Sequence, residues 1–338
     1  MKRIAGWLGL IALGFSAPGA AQVTLIASSP VPPSHILTAA MLVPMCQDFE
    51  KVTSGRVRCN VLPKAPVAAP QTFDAVRDGL TDLSFTVHGY TPGRFTLTEA
   101  VEFPFMADRA EALSVAYQRV HERMLAKADE HRGVVALALF THGPGQIHHT
   151  SKPVSSLADL KGQKIRVGGG MSNDIATALG AVPLLRPAPE VFEILKTGVA
   201  DGLFFPKESV MSFKLTPVLR HATLVPGGLY NVSFVWMANP DKWKTIPAAD
   251  RKLIEPLLGE ALATRSGRAW DASDERGEQV MREGKIQIQT ASPAFMEEIR
   301  TATAQLEDGW VKRAKGKGID GRAVIAALRA EIKSFRAK

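Results

Sequence analysis

The chain has 338 residues, with 41 Lys and Arg against 33 Asp and Glu, and a formal charge of +8 at neutral pH. With 46% hydrophobic residues and no low-complexity tract, this composition excludes a disordered or fibrous protein. The basic residues are spread along the chain; their densest run, VKRAKGKG at 311–318, reads as a solvated helix end and not as a nucleic-acid surface, while the mild excess suits an anionic small ligand.

Lys2 and Arg3 open the chain, followed by an apolar run over 4–15 and the small residues Gly19 and Ala21. This pattern predicts a secretory signal peptide over 1–21, its apolar core too short for a bilayer of roughly 30 Å. No later stretch reaches the ~20 consecutive apolar residues of a membrane helix, so a soluble periplasmic product is expected. About 315 residues remain, above the ~250–300 at which one core stops growing, and two lobes follow.

Strand-like and helix-like periods then alternate. VTLIAS (23–28) reads as a strand and 34–51 as a helix bent at Pro44, with Ser34 as its N-cap. VRCNVLP returns as a strand, QTFDAVRDG as a short helix closed by Gly79, and LSFTVHG as a third strand. This βαβαβ order predicts a parallel sheet covered by helices, hence an α/β fold. A long helix with one polar face is expected over 109–128 and an apolar strand over 134–143. The alternation restarts with a strand at KIRVGG, a helix over 171–179, a strand at VPLLRP, a helix over 190–197 and a strand entered at 200–205. HATLVPGG and NVSFVWMANP add strands, the latter long enough to cross back into the first lobe. A helical tract kinked at Pro256 runs to about residue 283, and the strand KIQIQT and two charged helices close the chain. The division expected is 22–143 with about 230–270 for lobe I, and 144–229 with about 271–338 for lobe II.

Cys46 and Cys59 make an even pair in an exported chain, which predicts one disulfide between the first helix and the next strand; two buried thiols are the other reading.

The glycines of KIRVGGG resemble a phosphate-gripping loop, but Met171, Ser172 and Asn173 follow Gly168, Gly169 and Gly170. The spacing matches neither a dinucleotide fingerprint nor a P-loop. Instead DLKGQKIRVGGG, ALGAVP and PEVFEILKTGVADG, in that order, resemble the central signature of the solute receptors of tripartite ATP-independent periplasmic (TRAP) transporters. Weaker similarity at AVRDGLTDLSF, EFPFMAD and NPDKWKTIPAADRKLI extends it over nearly all of the mature chain. The resemblance implies a two-lobed periplasmic binding protein with hinge-crossing strands and a long C-terminal helix. It also implies an organic acid held between the lobes and delivery to membrane permease subunits.

In that family the arginine of KIRV contacts the ligand carboxylate, a role that falls on Arg166. A guanidinium offers parallel N–H donors matched to a carboxylate. Gly168 gives the backbone room for it. Where many members have an asparagine after GxxDG, this chain has Phe205, and a second arginine common about twenty residues before the first is replaced by GPGQIHH. A phenyl ring in place of an amide exchanges a hydrogen bond for apolar area, worth ~1.5–3 kcal/mol if fully buried, so an apolar or aromatic monocarboxylate is expected. Phe192 joins Phe205 as an expected pocket wall.

The remaining candidates lie on loops at strand ends, each with a structural reading beside the binding one. His88, Tyr90 and Arg94 belong to HGYTPGRF, a turn built on Pro92 and Gly93. His35 ends SSPVPPSH. Gln146 or one of His142, His148 and His149 in THGPGQIHH is a candidate ligand contact. No metal site is expected there, because adjacent strand residues point to opposite faces. Asn231 and Trp236 sit on the crossing strand. Nothing calls for a cofactor or for nucleic acid. Two rivals remain: an ATP-driven periplasmic binding protein, and a secreted α/β enzyme, although no GxSxG elbow occurs.

Overall fold

The computed structural model describes residues 22–336; the signal peptide expected over 1–21 lies outside them. The strands, in chain order, are β1 Val23–Ala27, β2 Val57–Val61, β3 Leu83–Val87, β4 Val135–Thr141, β5 Gln146–His149, β6 Lys164–Val167, β7 Val182–Leu185, β8 Gly202–Phe205, β9 His221–Leu224, β10 Ser233–Ala238 and β11 Gln287–Thr290. They form two sheets with helices between the strands. The first has the order β2-β1-β3-β10-β4 and the second β11-β9-β5-β8-β6-β7.

In the first sheet β1, β2 and β3 run parallel, as the βαβαβ order requires, and β10 inserts antiparallel between β3 and β4. Its insertion puts Trp236 against Phe85 and Phe140, with ring centroids 5.0 and 5.7 Å apart. In the second sheet β6 is parallel to β7 and β8, while β5 runs antiparallel to β8 and β9. Val57, Phe85, Phe140 and Trp236 belong to a large apolar core that runs on to Ile147, Ile165 and Phe204 of the second sheet; a smaller cluster in the second half includes Val191, Leu203 and Leu215.

Two segments cross between the sheets, residues 142–145 after β4 and 225–232 before β10. They hydrogen-bond to each other: Gly145 N donates to Tyr230 O at 2.8 Å and Leu229 N to Gly145 O at 2.9 Å. The helix Glu260–Glu283, 24 residues long, spans both halves. Gly267 lets it approach the helix Ala110–Val120, where an added Cβ would lie 2.4 Å from Glu111 Cα, and Gly277 does the same against Lys207. Pro256 interrupts the tract before it, as expected, in a short 3-10 turn ended by Gly259 at φ +55°.

Three local expectations need correction. The segment after β1 starts with a wide π turn, Leu37–Leu42, before the α-helix Val43–Val52, which carries Pro44 in its first turn where no N–H is needed. Its entry is capped not by Ser34 but by His35, whose Nδ1 accepts the Leu37 N–H at 3.1 Å. The helix over 110–120 has no polar outer face, because β4 and the helices Glu260–Glu283 and Gly321–Arg336 cover it. Its polar residues are matched instead: Glu111 is paired with Arg109 and Arg268, and Gln118 accepts the Leu139 N–H at 2.7 Å. The terminal helices Gln305–Gly316 and Gly321–Arg336 also lie on this side, with Trp310 Nε1 donating to Thr96 O at 2.8 Å. Cys46 and Cys59 form the disulfide, tying the helix Val43–Val52 to β2.

Candidate functional site

Parallel strands end their backbones at one edge of a sheet, so the loops after β1, β3, β6 and β8 converge where the two sheets face each other. They enclose a cavity with about 590 Å³ of empty space, its mouth included. Val31, His35 and Leu37 line it from the segment after β1, and Phe85, Val87 and Tyr90 from β3 and its loop. Arg166, Gly168, Ala188, Phe205, Ser209 and Phe213 face them from the second half. The crossings supply His142, Tyr230 and Val232, β10 supplies Phe234, and the long helix supplies Trp270. Most of this wall is apolar or aromatic.

Among the described residues that line it, Arg166 supplies a cation. Arg166 is 2% exposed and comes from β6, where it pairs in register with Leu184 and Leu203. Its Nε donates to Arg186 O at 2.9 Å, and its guanidinium carbon lies 4.6 Å from the centroid of the Phe205 ring. Among the described residues no carboxylate comes within ion-pair distance of it. A buried charge without a partner is costly, so the arrangement favours an anion brought from outside.

Loops from the two halves touch around the cavity. Tyr90 Oη accepts the Ala188 N–H at 2.9 Å, and Glu102 Oε2 accepts the Met171 N–H at 3.0 Å. Gly89 lies so close to the glycine run after Arg166 that a Cβ there would sit 2.6 Å from Gly169 C. Thus the glycines of KIRVGGG serve close approach between the halves. Burial pushes Glu102 up to about 8, against the hydrogen bonds it receives from Ser233 and Met171. Burial likewise lowers His35 to about 3 and raises Glu208 to about 7, so the His35 Nε2 and Glu208 Oε2 atoms, 3.7 Å apart, do not form a strong ion pair near neutrality.

Of the residues singled out from the sequence, Arg166, Phe205, Tyr90, His35, Gly168 and His142 come together in the cavity. The others lie elsewhere. Arg94 pairs with Asp74 at 2.9 Å and stacks over Phe73. His88 is buried behind the cavity, its Nδ1 3.0 Å from Ser233 Oγ and its Nε2 2.8 Å from His131 Nε2. Phe192 packs at the edge of the second core, with Lys196 Nζ 5.8 Å over its ring. Trp236 is in the first core and donates to Ser266 Oγ at 3.1 Å. Gln146 and Asn231 brace the crossings: Gln146 accepts from Val225 N at 2.6 Å and donates to Pro144 O, and Asn231 donates to His142 O at 3.0 Å. His148 contacts Phe205 O and His149 contacts Gln163, on opposite sides of β5. Sequence reasoning missed Phe213, Tyr230, Val232, Phe234 and Trp270. The alternation of NVSFVWMANP places Val232 and Phe234 on one face and was the available signal; Phe213 and Trp270 carried none.

A crevice between two α/β halves joined by crossing segments, walled by apolar side chains around a cation that has no acidic partner among the described residues, defines a receptor for small anions. Residues 27–313 match the bacterial extracellular solute-binding proteins, family 7, and the chain belongs to that family. Over 93% of its length it is similar to a TRAP periplasmic solute-binding protein of Bordetella bronchiseptica solved with bound (R)- and (S)-mandelate, with 46% identity, 99% of that chain covered and a TM-score of 0.91. A TRAP solute-binding protein of Rhodoferax ferrireducens in complex with copurified benzoate is 30% identical over 93% of this chain and 98% of that one, with a TM-score of 0.88. A marine-metagenome TRAP solute-binding protein specific for aromatic acid ligands, solved with 3-hydroxybenzoate, is 32% identical over 93% and 99% of the two chains, with a TM-score of 0.88. The protein is therefore a TRAP-type periplasmic solute receptor with the two-lobed fold that its signature implied, and the ATP-driven alternative falls away. Among the described residues no helix is long and apolar enough to cross a membrane.

Proposed function

We propose that the protein captures an aromatic monocarboxylate between its lobes and delivers it, unchanged, to membrane permease subunits. The observation that carries this reading is the Arg166 guanidinium, buried and without an acidic partner among the described residues, in a cavity walled by Phe205, Phe213, Tyr230, Phe234 and Trp270. A carboxylate supplies the missing charge and accepts from the terminal guanidinium nitrogens, at ~1.5–3 kcal/mol for a bond to a charged group. An aromatic body fills the apolar remainder. Mandelate, benzoate and 3-hydroxybenzoate in the similar receptors support the same class.

The moving units are the two sheets with their helices, divided near residues 143 and 230; the terminal helices, expected with lobe II over about 271–338, instead travel with the first, because Gly321–Arg336 packs on Ala110–Val120. Closure gains the Tyr90–Ala188 and Glu102–Met171 bonds and so uses ligand free energy to shift the population. Arg166, Phe205, Tyr90, His35 and Gly168 form the binding set. A receptor rather than an enzyme is supported by the family and by the absence of any placed nucleophile in the motif reading.

A thermal-shift screen of organic acids tests the reading. Mandelate and benzoates should stabilise saturably, by roughly 2.7 kcal/mol at one hundred times Kd, and be recovered intact by chromatography. Stabilisation by hydroxylated sugar acids but not by aromatic acids, or conversion of the ligand, would contradict it.

A further inference from the structure

We propose that the cavity also reads a hydroxyl group on its aromatic acid, with His142 Nε2 as acceptor and the Trp270 indole N–H as donor. This rests on the aromatic-acid reading given above and narrows it to hydroxylated aromatic monocarboxylates.

His142 directly follows β4, and its Nδ1 lies at hydrogen-bond distance from Gly143 O. A carbonyl oxygen only accepts, so the ring proton sits on Nδ1 and Nε2 keeps a lone pair. The ring is held against Tyr230, Phe234 and Trp270, at centroid distances of 5.3, 6.1 and 5.8 Å. It therefore has no freedom to turn toward solvent. Burial, with the Arg166 cation adding to it, lowers His142 to about 4 against the opposing bond to Gly143, so the ring is neutral at neutral pH.

Several buried side-chain atoms lack a hydrogen-bond partner among the described residues, including those of Thr98, Tyr117 and Asn231. Two of them belong to residues that line this cavity: His142 Nε2 and Trp270 Nε1. One is an acceptor and the other a donor. Buried polar groups left unpaired are destabilising, and native interiors rarely keep two on neighbouring rings, here with centroids 5.8 Å apart, without a use.

The chemistry of candidate ligands separates them. A bare aromatic ring answers neither atom. A carboxylate only accepts; it serves the indole but not the imidazole, and its place is at Arg166. A hydroxyl both donates and accepts, so one group can donate to Nε2 and accept from the indole N–H. Sites built to bond a substrate hydroxyl reject the analogue lacking it far more sharply than sites selecting by shape alone.

Titration calorimetry on the mature receptor, freed of copurified ligand, tests this with two pairs: mandelate against phenylacetate, and 3-hydroxybenzoate against benzoate. In at least one pair the wild type should bind the hydroxylated acid at least tenfold more tightly. His142→Phe should cut that ratio below threefold, and His142→Gln, which retains an acceptor oxygen, should recover part of it. Ratios near one in both pairs for the wild type overturn the proposal without recourse to any variant. A ratio that persists in His142→Phe also overturns it. Failure of all four acids to bind the wild type has a different signature and sinks the aromatic-acid reading along with this one.

Discussion

Glu102 and Met171 belong to opposite halves of the molecule, and the carboxyl group of one accepts the backbone N–H of the other at 3.0 Å. The same carboxyl group accepts Ser233 N at 2.9 Å and Ser233 Oγ at 2.6 Å, so it ties the start of β10 to the first turn of the helix that follows Arg166. Glu102→Ala strands two buried N–H groups, at about 1–3 kcal/mol each. Its melting temperature should fall by several degrees and ligand affinity should fall with it. An unchanged melting curve would show that the link is idle.

Gly89 marks a close approach between the halves, and it isolates closure from backbone strain because it does not have a positive φ. In Gly89→Ala the new methyl would meet Gly169 C at 2.6 Å and Gly168 O at 2.8 Å. Affinity should drop at least tenfold, about 1.4 kcal/mol. Small-angle scattering at saturating ligand should show the variant more extended than the wild type; equal radii of gyration would contradict this role.

Stability should peak between about pH 6 and 7. Burial lowers His35 and His88 to about 3 and His121, His142 and His148 to about 4, with His131 also well below its usual range. Below about pH 6.5 the unfolded chain takes up protons that these folded rings refuse, so stability falls with pH. Burial acts in the opposite sense on Glu102 and Asp274, raised to about 8, and on Glu208, raised to about 7. The folded protein keeps their protons where the unfolded chain releases them, so stability also falls as pH rises toward 8. Melting of the ligand-free protein at pH 5, 6.5 and 8.5 checks this; a temperature still rising from 6.5 to 8.5 would contradict it.

What could be read in advance follows from where the information lies. The order of strands and helices gave the parallel β1, β2 and β3 and the return of β10, because hydrophobic period and chain order carry topology. The place of Arg166 in the cavity was legible because a local signature fixes it at a strand end, and that of Tyr90 and His35 because loops after parallel strands face the crevice. Arg94 was not, since its partner Asp74 lies 20 residues upstream and nothing local shows the pairing. Trp236 shares a strand face with Phe234 but sits two residues deeper, where Ser266 of the long helix receives its N–H. Trp270 and Phe213 reach the cavity through tertiary packing, which helical periodicity alone does not orient toward a particular wall. Gln146 and Asn231 show the reverse case: polar residues near a hinge suggest ligand contact, and in this structure their hydrogen bonds go to the backbone of the crossing segments.

The central claim is that the carboxylate of an aromatic acid supplies the charge that Arg166 lacks. Calorimetry of Arg166→Met with the tightest-binding aromatic acid tests it most directly. The account predicts at least a tenfold loss of affinity, about 1.4 kcal/mol, together with a ligand-free melting temperature that holds or rises, because an uncompensated buried charge has been removed. Wild-type affinity in that variant would contradict the account.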